Sequence, residues 1–124
     1  MTKQEKAQLL QTLHVEQREL ILIKEIPAND LIEKIISAAA DYYGLTAEQV
    51  KSRSRKGEIV SARMFSILIF LETSPLMTLE RLGAILGGLD HSTVGHARNM
   101  AAQLIKTSKA AINAYICIKE KAGV

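Results

Sequence analysis

Gly87-Gly88-Leu89-Asp90-His91-Ser92-Thr93-Val94-Gly95-His96-Ala97-Arg98-Asn99-Met100 is the stretch whose reading decides the fold. Two adjacent glycines supply a sharp turn, because glycine takes positive φ without a steric penalty. Asp90 follows where an N-cap belongs, its carboxylate placed to accept from the free N–H groups of a new helix. Just upstream, Thr78-Leu79-Glu80-Arg81-Leu82-Gly83-Ala84-Ile85-Leu86 spaces Leu79, Leu82, Ile85 and Leu86 along one helical face, with Thr78 as cap. Helix, glycine turn, then a helix with a polar first turn: the pattern predicts a helix-turn-helix whose second helix presents side chains outward. The same spacing also fits an ordinary αα-corner.

Working outward, the chain reads as helices throughout. The reader helix runs from about His91 to Lys106, Thr107-Ser108 break it, and Lys109 to Lys121 form a last helix with Ile112, Tyr115, Ile116 and Lys119 in register. Before the pair, residues 58 to 73 leave little polar face, so this is the main buried helix, and Pro75 prevents its continuation. Lys51-Ser52-Arg53-Ser54-Arg55-Lys56-Gly57 carries four cations and no carboxylate. Ahead of it, Thr46-Ala47-Glu48-Gln49 matches a capping box that starts a short helix. Leu31 to Tyr43 is a core helix stopped by Gly44, with Asn29 or Asp30 as its cap. Residues 1–26 are a separate N-terminal segment: residues 3 to 26 read as a helix, or as one ending in an extended piece at Leu20-Ile21-Leu22-Ile23, closed by Pro27 and read as either a packing helix or a dimerisation arm. Residues 27–124 are the helix-turn-helix domain.

Composition narrows the function classes. With 124 residues, 48% hydrophobic and 23% charged, the chain has the material for one globular core and is not a disordered segment. Aromatic content of 4% without tryptophan argues against a platform for stacking single-stranded bases. A net charge of +3 suits a polyanionic partner. The single cysteine, Cys117, cannot form an internal disulfide, which fits a reducing cytoplasm. The start, Met-Thr-Lys-Gln-Glu-Lys, lacks the apolar core of a secretory signal, and the Ile67–Leu71 run is too short to cross a membrane. A cytoplasmic protein with no membrane partner is expected.

Catalytic and metal readings fail on spacing. His91 and His96 lie five apart, about 140° around an ideal helix, so they do not converge on a metal. His14 and Cys117 belong to distant helices. The Gly87-Gly88 turn lacks the Gly-Lys-Ser/Thr ending of a phosphate-binding loop, so no nucleotide is expected. A Ser92–His96 pair at i,i+4 has neither an oriented base nor an oxyanion hole around it. No cofactor, metal or catalytic residue is assigned.

The ordered signature Gly-Gly-x-Asp-His-Ser-Thr-Val-x-His-Ala resembles that of the C-terminal DNA-binding domain of the bacterial chromosomal replication initiator DnaA. The likeness extends through Tyr42-Tyr43-Gly44-Leu45, Lys51-Ser52-Arg53-Ser54-Arg55 and Val60-Ser61-Ala62-Arg63, covering about residues 27 to 121. The resemblance implies an all-α domain, Trp repressor-like in its helix-turn-helix, that binds double-stranded DNA. It reaches only the DNA-binding part of that family and does not include its ATPase module. Carried over, it makes Asp90, His91, Ser92 and Thr93 the base contacts. Arg63 then matches a phosphate-binding arginine, and Arg55, with Arg53 beside it, the minor-groove arginine of a basic loop that also holds Lys51 and Lys56. Backbone N–H groups at Thr78 and Leu79 would hold a phosphate at a helix start. His96 and Ala97 read as buried support, and Arg98 as either a phosphate contact or a solvated cation. Two positions depart from the family pattern: Leu89 stands where Arg is usual, and Met64 where Gln is usual. Each removes a polar group near the backbone or groove.

The expected function is sequence-specific duplex binding, with the reader helix in the major groove and the basic loop alongside, at initiator-like sites in a regulatory role. The alternative is a protein-interaction module that keeps the helix-turn-helix scaffold, with a homodimer or protein partner held by the N-terminal helix. Leu89, Met64 and the modest charge favour that alternative.

Overall fold

The computed structural model describes residues 28–124. The helix expected over residues 3 to 26, its proposed arm role and its stop at Pro27 lie outside the described residues. Six helices follow one another: α1 (Ala28–Tyr43), α2 (Ala47–Lys51), α3 (Gly57–Thr73), α4 (Leu79–Ile85), α5 (His91–Thr107) and α6 (Lys109–Ala122). No strand occurs among the described residues, so the domain is all-α as expected.

α3 organises the rest. Its buried residues include Ile59, Met64, Phe65, Ile67, Leu68, Ile69 and Phe70, and they point in nearly every direction around the axis. A helix apolar all round must be enclosed. Accordingly α1 and α5 flank it, and α2 and α6 also touch it. Burying each phenylalanine contributes about 1.5–3 kcal/mol. The one buried polar side chain here, Ser66, donates to the Ala62 carbonyl at 2.7 Å, so its hydroxyl is satisfied within the helix.

Local signals fix most of the helix ends. Thr46 and Gln49 exchange both capping-box bonds, at 2.8 and 3.1 Å, and so start α2. Ser74 ends α3 directly before Pro75. Ser108 closes α5 through its backbone N–H and opens α6 by accepting from Ala111 N at 3.2 Å. One residue thus turns the chain between two helices. The cap expected at Asn29 or Asp30 is corrected: α1 already includes Ala28, so both residues lie inside its first turn. Asp30 is favourable there because its charge complements the positive end of the helix dipole.

The last helix forms as read, α6, but its buried face is not the stripe of Ile112, Tyr115, Ile116 and Lys119. The structure turns Ala111, Ala114 and Ile118 inward and leaves Ile112 and Ile116 at 40% and 45% exposure. Ala38, Ala39 and Ala40 are buried on α1, the helix that α6 packs against. The inward face of α6 thus combines two small side chains with one isoleucine, Ile118. Tyr115 is half-buried and its hydroxyl donates to Glu72 at the end of α3, which ties α6 to the central helix. Burial and the neighbouring carboxylate push the Tyr115 phenol up to about 12.

Candidate nucleic-acid interface

The turn between α4 and α5 is held by one carbonyl. Gly88 N and Leu89 N both donate to Gly83 O at 2.9 Å. Gly87 and Gly88 take φ of 90° and 88°, the conformation the paired glycines predicted. Gly83 matters for a different reason. A Cβ there would lie 2.0 Å from the Leu89 carbonyl oxygen, so only glycine lets the turn fold back on α4. Thr78 caps α4 by accepting from Arg81 N at 3.1 Å.

Asp90 caps α5 as its position predicted. One carboxylate oxygen accepts from Ser92 N at 3.2 Å and also from the Ser92 hydroxyl, while the other faces His91 Nδ1 at 3.4 Å. These Ser92 bonds, and to a lesser degree His91, hold the Asp90 carboxyl below its ordinary range. Ser92 is therefore engaged with the cap and not with His96. His91 and Thr93 are exposed on the same first turn. Below them Val94, Gly95 and Ala101 are buried, anchoring the helix on the core.

His96 is exposed, which corrects its reading as buried support. The buried stripe of α5 follows Val94 and Ala101, and His96, two residues on from Val94, points about 200° away. Ala97 is half-buried against the core. The Arg98 side chain donates from Nε to Asn99 Oδ1 at 3.2 Å.

The basic loop is built by its serines. Ser52 Oγ donates to Gln49 O at 2.6 Å and accepts from Ser54 N at 3.3 Å, and Ser54 Oγ accepts from Lys56 N at 3.2 Å. The alternation Ser52-Arg53-Ser54-Arg55 thereby keeps the serines half-buried and the arginines exposed. That alternation is legible in the sequence, but its structural meaning lies in the serine hydroxyls that shape the loop and not in the charges. Lys51 pairs with Glu33 of α1 at 2.6 Å. Arg53 Nη2 donates to Gly88 O at 3.2 Å, joining the loop to the helix-turn-helix turn.

Arg63 lies half-buried on α3. Its Nε donates to Val50 O at 3.2 Å and its Nη2 to Ser54 O at 2.6 Å, and burial lowers its pKa. Arg55, Arg63, Thr93 and His96 meet around one cleft of about 360 Å³, whose floor includes Met64, Leu89 and Met100. The two departures from the family pattern, Leu89 and Met64, thus share one surface beside α5. Leu89 is half-buried and Met64 buried. No cluster of three or more His, Cys, Asp or Glu able to hold a metal occurs among the described residues. No described helix is long and apolar enough to cross a membrane.

A capped second helix, a glycine turn locked to the first, and a cationic loop tied to that turn define a helix-turn-helix domain. A family profile described as bacterial dnaA protein helix-turn-helix matches residues 32–100. The chain belongs to that family. Among curated proteins it is 35% identical over 88 residues to the chromosomal replication initiator protein DnaA of Latilactobacillus sakei, covering 71% of this chain and 19% of that protein. The protein of the same name from Streptococcus equi subsp. zooepidemicus is 35% identical over 74 residues, covering 60% of this chain and 16% of its own length. The chain spans less than a fifth of the length of these relatives.

Proposed function

We propose that this domain binds double-stranded DNA with α5 in the major groove and the basic loop on the flanking backbone or minor groove. The observation that carries the reading is the joining of two surfaces. Thr93, from the exposed first turn of α5, and the exposed Arg55 border one cleft, and Arg53 bonds the loop to the turn that starts α5. His91 and Thr93 are the freest of the four base contacts, and Asp90 and Ser92 reach base edges alongside their capping bonds. Arg55 and Lys56 meet phosphate or the minor groove, and backbone N–H groups at Thr78 and Leu79 take a further phosphate. The sites are initiator-like, and the role is regulatory occupancy of such sites.

Selection from a random duplex pool, followed by titration of the selected site at several salt concentrations, tests this. Enrichment of a discrete motif, with affinity falling steeply as salt rises, is the expected result. A second reading, a protein-interaction module, is favoured by the apolar floor of the cleft at Met64, Leu89 and Met100. Absence of any salt-sensitive duplex binding would move it ahead.

A further inference from the structure

The cations around the basic loop are not presented alike. Lys51 is spent on Glu33. Arg53 is spent on the Gly88 carbonyl, two residues before the Asp90 cap of α5. Arg63 bridges two backbone carbonyls, Val50 O in α2 and Ser54 O in the loop. Arg55 and Lys56 are exposed, and among the described residues their side chains have no hydrogen-bond or ion-pair partner.

We infer that Arg53 and Arg63 are positioning residues, which fix Arg55 relative to the first turn of α5. The inference rests on the DNA-binding reading above and deepens it. The path is continuous: Arg63 on α3 holds Ser54, the adjacent Arg53 holds Gly88, and Gly88 leads through Leu89 into the α5 cap. The carbonyl of Val50 belongs to the last turn of α2, where carbonyls lack partners within the helix. A planar guanidinium can serve that carbonyl and Ser54 together. Lysine, a point charge on a flexible stem, cannot hold both in one geometry. The spacing between loop and reader helix is therefore set in the free protein, before any DNA arrives.

A double-mutant cycle on one duplex at one salt concentration tests this, with Arg63→Lys, Arg55→Ala and the pair together. Arg63→Lys keeps the positive charge but gives up the fork that serves Val50 O and Ser54 O together. Arg63→Lys should lose affinity by the same factor as Arg55→Ala, and the double variant should lose no more than about twofold beyond Arg55→Ala, the usual margin of additivity. Binding of Arg63→Lys within twofold of wild type, or full multiplication of the two losses, overturns the inference. The same cycle with Arg53→Ala, an exposed position that does not threaten folding, tests the other half. If Arg55→Ala itself binds like wild type, the loop leaves the proposed DNA interface. Amide exchange of the free protein then decides positioning. Arg63→Lys and Arg53→Ala should each speed exchange at the Ser54 and Lys56 amides, whereas Arg55→Ala should not, and unchanged exchange in the first two overturns the inference.

Discussion

Asp90 and Ser92 share a carboxylate oxygen through two hydrogen bonds, whereas on the same turn Thr93 stands free and His91 only faces the other Asp90 oxygen, at 3.4 Å. This division predicts different consequences for neighbouring residues. His91→Ala or Thr93→Ala should flatten preference at one or two base pairs, by about 1–3 kcal/mol each, without lowering stability; selected-site binding and thermal unfolding together check this. Asp90 has a depressed pKa in the folded state, so its stabilisation is complete above the ordinary carboxylate value and is lost as pH falls through the depressed one. Asp90→Asn keeps a capping oxygen and removes the charge. The stability gap between wild type and Asp90→Asn should therefore close in acid, below about pH 4, and stay constant above it. Leu89→Arg restores the cation usual in the family at a half-buried site. Its stem can lie along the cleft with the charge outward. Tighter duplex binding with a salt slope steeper by about 0.9 is expected, and an unchanged slope would show that position 89 lies off the phosphate path.

Between α4 and α5, a single main-chain carbonyl on Gly83 takes two N–H donors from the turn, and the turn's own carbonyl then closes over Gly83. That crossing orients α5 on the core. Gly83→Ala places a methyl group 2.0 Å from main-chain oxygen, which cannot move without opening the turn. A cost of about 2–3 kcal/mol, at the upper end for overpacking, is expected in denaturant unfolding, together with loss of duplex binding. Gly87 shows the contrast. A Cβ there meets nothing, so its requirement comes from positive φ alone, and substitution should be milder.

For the molecule as a whole, a net charge of +3 understates how selectively cations are exposed. The loop offers four positive side chains, but Lys51 faces Glu33 and Arg53 faces a carbonyl. Arg55→Ala should lower the slope of log K against log salt by about 0.9, the loss of one phosphate contact. Lys51→Ala should leave the slope nearly unchanged, since its charge is already balanced across α1 and α2. Titrations at three or more salt concentrations compare the two directly, and equal slopes for both variants would mean that the pairing seen here does not sort the cations.

The capped helix ends, the glycine turn and the apolar α3 were legible because each depends on neighbours within a few residues. Thr46 with Gln49, Thr78 with Arg81 and Asp90 with Ser92 are bonds of two or three residues' reach, and the glycine φ values follow from the residue itself. The family signature was likewise a run of consecutive residues. What the sequence could not decide was direction in space. Which residues α6 turns inward depends on how it packs on α1, and whether His96 is covered depends on which stripe of α5 meets α3. The duties of Arg53 and Arg63 follow the same logic, since their carbonyl partners lie 35 and 9 residues away. A cation in a sequence declares its charge, but only the folded backbone determines whether that charge holds a loop in place or stays exposed to meet a phosphate.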